Sequence, residues 1–164
     1  MFIINTDASI EPVNPGGIVA WGFIVKAMGK GKVYSAAGIT ERGGPMATNN
    51  VGEYQAVIAA MLWLLRLPAE EKRPAIIQSD SQLIVNQCSH QWNCNDPKLV
   101  PLRDMVLEAV EKYPCSIKFK WIPRTKNYEA DDISRSVYDQ DELEEMRKAL
   151  CSPQAVFGDD DIPF

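Results

Sequence analysis

The sequence predicts an α/β fold: a five-stranded mixed sheet with helices on both faces. Three observations predict this fold. Strand-like segments follow one another through the first forty residues, a long apolar helix begins near residue 49, and residues 75–87 combine a short buried strand with a helix that follows at once. A strand continued directly by a helix is typical of a parallel βαβ unit. We therefore expect three antiparallel strands, extended by parallel ones.

The first three strands are predicted over residues 2–7, 18–25 and 32–39. The first begins with apolar residues and turns polar, so we expect Asp7 at its end. A loop rich in proline and glycine follows at 11–17, and a glycine-containing turn separates the second strand from the third. Short connections of this kind join strands that pair antiparallel.

A long helix is predicted to begin within Thr48-Asn49-Asn50-Val51-Gly52-Glu53. The side chain of Thr48 or Asn49 can cap its first turn. Glu53 lies near the helix start, where the helix dipole favours a negative charge. Residues 54–65 are apolar on most faces, which predicts a helix packed inside the domain. An acid at the mouth of a buried helix needs a hydrogen bond, a cation or a metal as its partner.

The second half of the chain completes the sheet. A short buried strand ends on Asp80, and a half-exposed strand alternates Lys118 and Lys120 with apolar residues, which gives it one basic face. A later helix carries Asp131 in its first turns. The predicted strands are 75–80 and 116–122, and the predicted helices are 81–87, 99–113, 128–137 and 139–150.

Composition and charge describe one globular domain with an acidic end. The chain has 164 residues and a net charge of −5. Residues 139–164 hold eight acids and two basic residues, so residues 1–138 are nearly neutral. We expect an acidic C-terminal helix and tail over 139–164. The net charge argues against a simple polyanion binder, although a neutral body can still hold a local basic groove.

Exported and membrane-spanning proteins are disfavoured by three features. The apolar residues at the start of the chain run at once into polar ones, and no apolar stretch approaches membrane-spanning length. The four cysteines, Cys88, Cys94, Cys115 and Cys151, contain no C-x-x-C pair. We therefore expect reduced thiols and a cytoplasmic location.

Four acids fall at predicted strand ends or helix starts: Asp7, Glu53, Asp80 and Asp131. If the first and fourth strands are neighbours, Asp7 and Asp80 lie side by side. Carboxylates that converge in this way repel one another, and hard divalent cations relieve the repulsion. Each acid alone also fits a structural role, as a turn residue, a helix cap or a first-turn acid. Their common placement is what favours a metal site.

The chain resembles the type 1 ribonuclease H family in four motifs that occur in order. They are Thr6-Asp7-Ala8-Ser9, then Thr48-Asn49-Asn50 with Glu53, then Ser79-Asp80-Ser81-Gln82, and last Trp121-Ile122-Pro123-Arg124 with Asn127, Ala130 and Asp131. The resemblance implies an RNase H-like fold, with residues 1–138 as the catalytic domain. It also implies hydrolysis of the RNA strand of RNA/DNA hybrids with two Mg²⁺ or Mn²⁺ ions, leaving 5′-phosphate and 3′-hydroxyl ends.

The resemblance also implies roles for particular residues. The four acids would be the catalytic metal ligands, with Asp7 shared by both ions, and Asp132 competes with Asp131 for the last position. Amide and hydroxyl side chains suit contacts with the 2′-hydroxyl groups that distinguish RNA from DNA, and lysines and arginines suit phosphates. The residues implied in substrate binding are Ser9, Asn14, Asn49, Asn50, Gln82 and Arg124.

Two further features concern the loop before the last acid, which departs from the family pattern, and the end of the chain. Many members carry a histidine in that loop, whereas here it contains Arg124 and the only histidine is His90. The loop resembles a shorter branch of the family, and we expect Arg124 of this chain to take over product release or phosphate contact. Residues 159–164 resemble short acidic peptides that bind single-strand DNA-binding proteins, although a solvated end also fits. We expect a monomer.

Three alternatives stay open. A 3′–5′ exonuclease of the same superfamily would carry a second acid two residues after the first, where this chain has Ser9. An integrase or transposase would end its acidic set on glutamate, whereas this set ends on Asp131. A nucleic-acid-binding module could keep the fold without the chemistry, but all four acids are present.

Overall fold

The computed structural model describes residues 1–151, so the predicted partner-binding segment at 159–164 lies outside the described residues. One five-stranded sheet has the order β3-β2-β1-β4-β5. Its strands are β1 Phe2–Glu11, β2 Ile18–Ala27, β3 Gly31–Arg42, β4 Ala75–Ser79 and β5 Ile117–Trp121. The helices are α1 Asn49–Arg66, α2 Gln82–Cys88, α3 Val100–Lys112, α4 Tyr128–Arg135 and α5 Gln140–Leu150.

The strand directions confirm the predicted mixed sheet. β1 pairs with β2 and β2 with β3 in antiparallel ladders, whereas β4 adds to β1 and β5 adds to β4 in parallel ones. β1 is therefore the central strand. It is antiparallel to the strand that follows it in sequence and parallel to a strand that begins after residue 74.

Helices cover the sheet on both sides. α1 packs over β1 and β2, with α2 and α3 beside it, and its side chains fill the core around Tyr54, Met61 and Leu64. On the opposite face, α4 packs over β1, β2 and β3. Both contacts depend on glycine: a Cβ at Gly52 would lie 2.6 Å from Val19 Cγ1, and one at Gly22 would lie 2.7 Å from Ile133 Cγ2.

The prediction that β1 ends at Asp7 was wrong. β1 continues to Glu11 because β2 pairs with it along its whole length, with Asp7 opposite Gly22 and Glu11 opposite Ile18. The parallel ladder with β4 is shorter and ends where Asn5 pairs with Gln78. Asp7 therefore lies just beyond the end of the β1–β4 ladder, in the middle of its own strand.

Within residues 1–151, each helix lacks either the length or the apolar character that crossing a bilayer requires.

Candidate active site

Three carboxylates from distant parts of the chain converge at one edge of the β1–β4 pair. Asp7 is on β1, Asp80 follows β4, and Glu53 is in the second turn of α1. A carboxylate oxygen of each lies within 4.8 Å of one from each of the others. Two capping contacts fix the helices nearby: Thr48 Oγ1 accepts from the Val51 N–H, and Ser81 Oγ accepts from the Ile84 N–H. The predicted cap at Thr48 is confirmed.

Burial makes this cluster electrostatically costly. Asp7 and Glu53 expose only 5% and 4% of their surface. Burial, followed by the negative charge of Asp80, raises the pKa of Asp7 to about 7. Burial, followed by the charge of Asp7, raises the pKa of Glu53, and burial also raises the pKa of Asp80, although the positive charge of Arg124 opposes that rise. Desolvated carboxylates that repel one another favour their protonated forms.

Glu53 is the member of the cluster with an unsatisfied oxygen. Asn49 Nδ2 donates to Oε1 over a long distance of 3.5 Å. The other oxygen, Oε2, is buried and has no hydrogen-bond partner within the part of the chain described here. A buried acceptor without a donor costs free energy unless a cation or another donor reaches it.

Asp131 lies beside this cluster rather than within the group of three. It is half-buried in the first turn of α4, and Arg135 Nε donates to its Oδ1 over 3.0 Å. Its negative charge nevertheless contributes to the raised pKa of Asp7. Asp132, the competing residue, is exposed on the same helix. The assignment of Asp131 as the fourth ligand stays a prediction.

An open cleft of about 460 Å³ surrounds the carboxylates. Of the residues implied in substrate binding, Ser9, Asn14, Asn49 and Arg124 line this cleft. Asn50 and Gln82 are exposed in the first turns of α1 and α2, outside the lining. Arg135, which sequence reasoning missed, also lines it. Its position four residues after Asp131 on a helix is the signal that was available, because side chains at that spacing meet.

Ser9 differs from the other cleft residues because its hydroxyl is already engaged. Ser9 is 2% exposed, its Oγ lies 2.9 Å from the Tyr138 hydroxyl, and Ser134 Oγ donates to it over 3.2 Å. The Tyr138 hydroxyl also donates to the Ile18 carbonyl. These contacts join α4 and the residues after it to β1 and β2 next to Asp7.

A second missed residue, Asn127, connects the segments that carry the acids. Its Nδ2 donates to the Thr6 carbonyl over 2.9 Å, and its Oδ1 accepts from Asn5 Nδ2 over 3.2 Å. Its own carbonyl accepts from the Asp131 N–H. Asn127 is 1% exposed, so it holds the start of α4 against β1 from a buried position. The sequence contained the residue within a motif but gave no sign of these partners.

The residues present fit a divalent metal ion. Three carboxylates supply hard oxygen ligands at one point, and the unpartnered Glu53 Oε2 is an acceptor that a cation would satisfy. Binding a cation there would also relieve the repulsion that raises the pKa of Asp7 and Glu53.

Known proteins share this fold and sequence pattern. The bifunctional protein Rv2228c of Mycobacterium tuberculosis is 34% identical over 93 residues, which are 57% of this chain and 24% of that protein. Ribonuclease HI of Halobacterium salinarum is 30% identical over 127 residues, 77% of this chain and 59% of that protein. The matched region thus spans about a quarter of the first relative and under two thirds of the second.

Solved structures give the same result. The N-terminal RNase H domain of Rv2228c superposes with a TM-score of 0.72 at 26% identity, over 84% of this chain and 98% of that one. LC11-RNase H1, solved in complex with an RNA/DNA hybrid, shares the fold with a TM-score of 0.74 at 22% identity, over 90% of this chain and 99% of that one. The model of the reverse transcriptase-like family matches residues 5–137. The chain therefore belongs to the reverse transcriptase-like family and has the fold of type 1 RNase H proteins.

Proposed function

We propose that this protein is a ribonuclease H, an endonuclease that hydrolyses the RNA strand of RNA/DNA hybrids and leaves 5′-phosphate and 3′-hydroxyl ends. The observation that carries the proposal is the convergence of Asp7, Glu53 and Asp80 beside an open cleft, with one buried carboxylate oxygen unsatisfied. The relatives named ribonuclease HI and RNase H support the same activity. The neighbour solved with a hybrid supports the substrate.

Two Mg²⁺ ions, for which Mn²⁺ can substitute, are the proposed cofactors. Asp7, Glu53, Asp80 and Asp131 would hold them. When bound, such ions activate a water nucleophile and stabilise the leaving oxygen of a phosphodiester. Buried Asp7 and Glu53 fix the ligand positions, because their surroundings on β1 and α1 are closely packed.

The residues around the carboxylates would position the hybrid. Asn14 and Asn49 line the cleft and offer amide groups that both donate to and accept from 2′-hydroxyls. Arg124 lines it from the loop after β5 and offers a guanidinium group to a phosphate. Arg135 neutralises part of the acidic charge by pairing with Asp131 and with Glu11.

Residues 1–138 are proposed to form the catalytic domain, with 139–164 as an acidic addition, and the protein is proposed to act in the cytoplasm as a monomer. α5 falls in the acidic addition and is joined to the catalytic part through buried Leu143 and through an ion pair between Glu142 and Arg42.

The test is cleavage of a labelled RNA/DNA hybrid with Mg²⁺ or Mn²⁺, beside single-stranded RNA, duplex RNA and duplex DNA. We expect cuts in the hybrid's RNA strand alone, dependent on the metal and abolished by Asp7→Asn. Ligation of the products by an enzyme that needs a 5′-phosphate would verify the ends. A folded protein that binds hybrid but leaves it intact with either metal would instead be a silent binding module. Stepwise removal of nucleotides from a 3′ end would make it an exonuclease.

A further inference from the structure

One part of the sheet that is near the proposed active site but separate from it has a basic surface. Residues that pair across strands project on the same face, so the register places Ile3 beside Lys26, Ile76 beside Lys118, and Gln78 beside Lys120. α4 lies on this same face. Gly22 is four residues before Lys26 on β2 and so shares its face, and a Cβ at Gly22 would lie 2.8 Å from the backbone nitrogen of Ser134 on α4. α4 packs over β1, β2 and β3, while Lys118 and Lys120 on β5 are exposed.

Lysines line a cleft on this part of the sheet. A cleft of about 470 Å³ is lined by Lys26, Lys120 and Lys126, together with Gln78, Trp121 and Ile3. We define these six residues and Lys118 as the lysine face. Glu129 pairs with Lys26 at its border. The lysine face is therefore positively charged on a chain whose net charge is −5.

Two exposed aromatic residues lie near these lysines: Trp121 lines the same cleft, and Tyr128 is close to Lys126 in sequence. Trp121 is 44% exposed and Tyr128, two residues after Lys126, is 60% exposed. Large aromatic residues are normally more buried than this in a folded domain. Basic side chains next to exposed aromatic rings are the combination that binds single-stranded nucleic acid, because the lysines contact phosphates and bases stack on the rings.

The lysine face continues into the proposed active site. Trp121 Nε1 donates to the carbonyl of Asp80 over 3.1 Å, so one residue joins the two regions. Arg124, which lines the carboxylate cleft, is separated from Lys126 by one residue. A polynucleotide strand that leaves the carboxylate cleft past Arg124 and Trp121 would reach Lys120 and Lys126 next.

We propose that the lysine face binds a single-stranded extension of the hybrid held in the carboxylate cleft. The charge and the exposed rings select a flexible polyanion with bases. Stacking on exposed rings requires unpaired bases, which a duplex does not offer. The inference rests on the proposed function, since it assigns a path to a strand continuing from that substrate. It adds a preference for hybrids that end in unpaired nucleotides.

The test compares the affinity of the full-length Asp7→Asn protein for a blunt hybrid and for the same hybrid with a short unpaired deoxythymidine extension at either DNA end. We expect the extension to tighten binding about five- to tenfold at low salt and to steepen the salt dependence, because more phosphates are contacted. Lys120→Glu with Lys126→Glu should abolish this gain. The matched control is Lys98→Glu with Lys112→Glu, which makes the same charge change just before α3 and at its last residue, on the other side of the sheet, and should retain the gain.

A second pair of variants tests stacking. Tyr128→Ser should reduce the gain from the extension severalfold, whereas Tyr128→Phe, which keeps the ring, should retain it. Circular dichroism and thermal unfolding confirm that each variant is folded.

Several outcomes would overturn the inference. They are equal binding of blunt and extended hybrids, or a gain that survives Lys120→Glu with Lys126→Glu. A gain that appears only after the three aspartates at 159–161 are changed to asparagine would assign the face to the chain's own acidic end instead. Failure of the proposed function would look different: the unmutated protein would cut neither hybrid with Mg²⁺ or Mn²⁺, whatever the extension does to binding.

Discussion

Glu53 is the residue that shows most clearly how the candidate active site lowers the stability of the metal-free protein. Within residues 1–151, Glu53 Oε2 is buried without a donor, which destabilises the metal-free protein, and it is an acceptor that the proposed cation would satisfy. The sequence predicted Glu53 as the acid at the mouth of a buried helix. It could not give the convergence with Asp7 and Asp80, because that depends on the pairing of β1 with β4, strands more than sixty residues apart.

Glu53→Gln separates the structural cost from the function. The amide removes a negative charge from the cluster and can donate to Asp7, so the metal-free protein should melt at a higher temperature. Loss of a charged ligand should lower hybrid cleavage by at least about 100-fold and remove the rise in melting temperature that Mg²⁺ gives. Calorimetry with and without Mg²⁺ measures both effects. A variant that melts lower and cleaves normally would contradict the proposed role of Glu53.

Asp131 and Asp132 form a natural matched pair, because they are adjacent on α4. Asp131→Asn should lower cleavage by at least about 100-fold, since the half-buried carboxylate next to Asp7 is the proposed fourth ligand. Asp132→Asn should change cleavage less than about threefold, because this carboxylate is exposed away from the cluster. Initial rates at saturating hybrid make the comparison. The reverse order of effects would make Asp132 the ligand.

The stability of the metal-free protein should decrease as pH rises. The pKa of Asp7 is raised from 3.8 to about 7 in the folded chain, so the folded state holds a proton that the unfolded state has released. Stability from this proton is complete below pH 4 and is lost as pH rises towards 7. The raised pKa of Glu53 acts in the same direction. Urea unfolding in the presence of a chelator measures how steeply the free energy of unfolding falls with pH across this range. The fall should be less steep in Asp7→Asn, and less steep in the unmutated protein when Mg²⁺ replaces the chelator.

At the scale of elements, the position of α4 decides whether Asp131 reaches the site. α4 approaches β2 closely because Gly22 has no side chain, and a Cβ there would meet both Ile133 Cγ2 and the Ser134 backbone. Gly22→Ala should therefore cost about 1–3 kcal/mol of stability, and reduce cleavage as α4 moves. Adding Ile133→Ala should restore only part of each, because the backbone contact remains. Chemical unfolding and cleavage rates test this. If Gly22→Ala changed neither the stability nor the cleavage rate, α4 would not be held by this contact.

Asn127 links the same helix to the central strand. Asn127→Asp replaces the N–H that donates to the Thr6 carbonyl with an oxygen that repels it. A buried acceptor left unsatisfied costs about 1–3 kcal/mol, which thermal unfolding would measure. Cleavage should decrease more steeply than stability alone explains, because a shift of residue 127 away from Thr6 disturbs both neighbouring acids. Thr6 precedes Asp7, and the backbone carbonyl of Asn127 accepts from the Asp131 N–H. Asn86→Asp, on α2, is a similar change outside this network.

The elements themselves were predictable because their patterns are local. The cap at Thr48, the apolar helix behind it and the alternating β5 depend on residues close in sequence. The length of β1 was not predictable from local patterns, since only its pairing with β2 shows that Ala8 to Glu11 remain in the sheet. The contacts of Ser9 with Tyr138 and of Asn127 with Thr6 join residues more than a hundred positions apart, and no local pattern indicates them.

At the scale of the whole molecule, the chain combines a net negative charge with two regions suited to nucleic acid. The carboxylate cleft would take a polyanion only with cations to offset its acids, whereas the proposed site on the lysine face would take one directly. Arg124 and Trp121 lie where the two regions meet. Fold and family followed from motifs distributed over residues 5–137. The lysine face could be recognised only from the sheet register, because Lys26 and Lys120 are on strands separated by two others.

The central position of β1 has a consequence for how the protein is made. β1 is synthesised before the other strands of the sheet and can pair with β2, which follows it directly. Its opposite edge stays unpaired until β4, residues 75–79, has been synthesised. An exposed strand edge is a template for pairing with other chains, so the nascent chain is open to misassembly during this interval. Chaperones that shield extended segments would be most useful to this protein before residue 79 emerges.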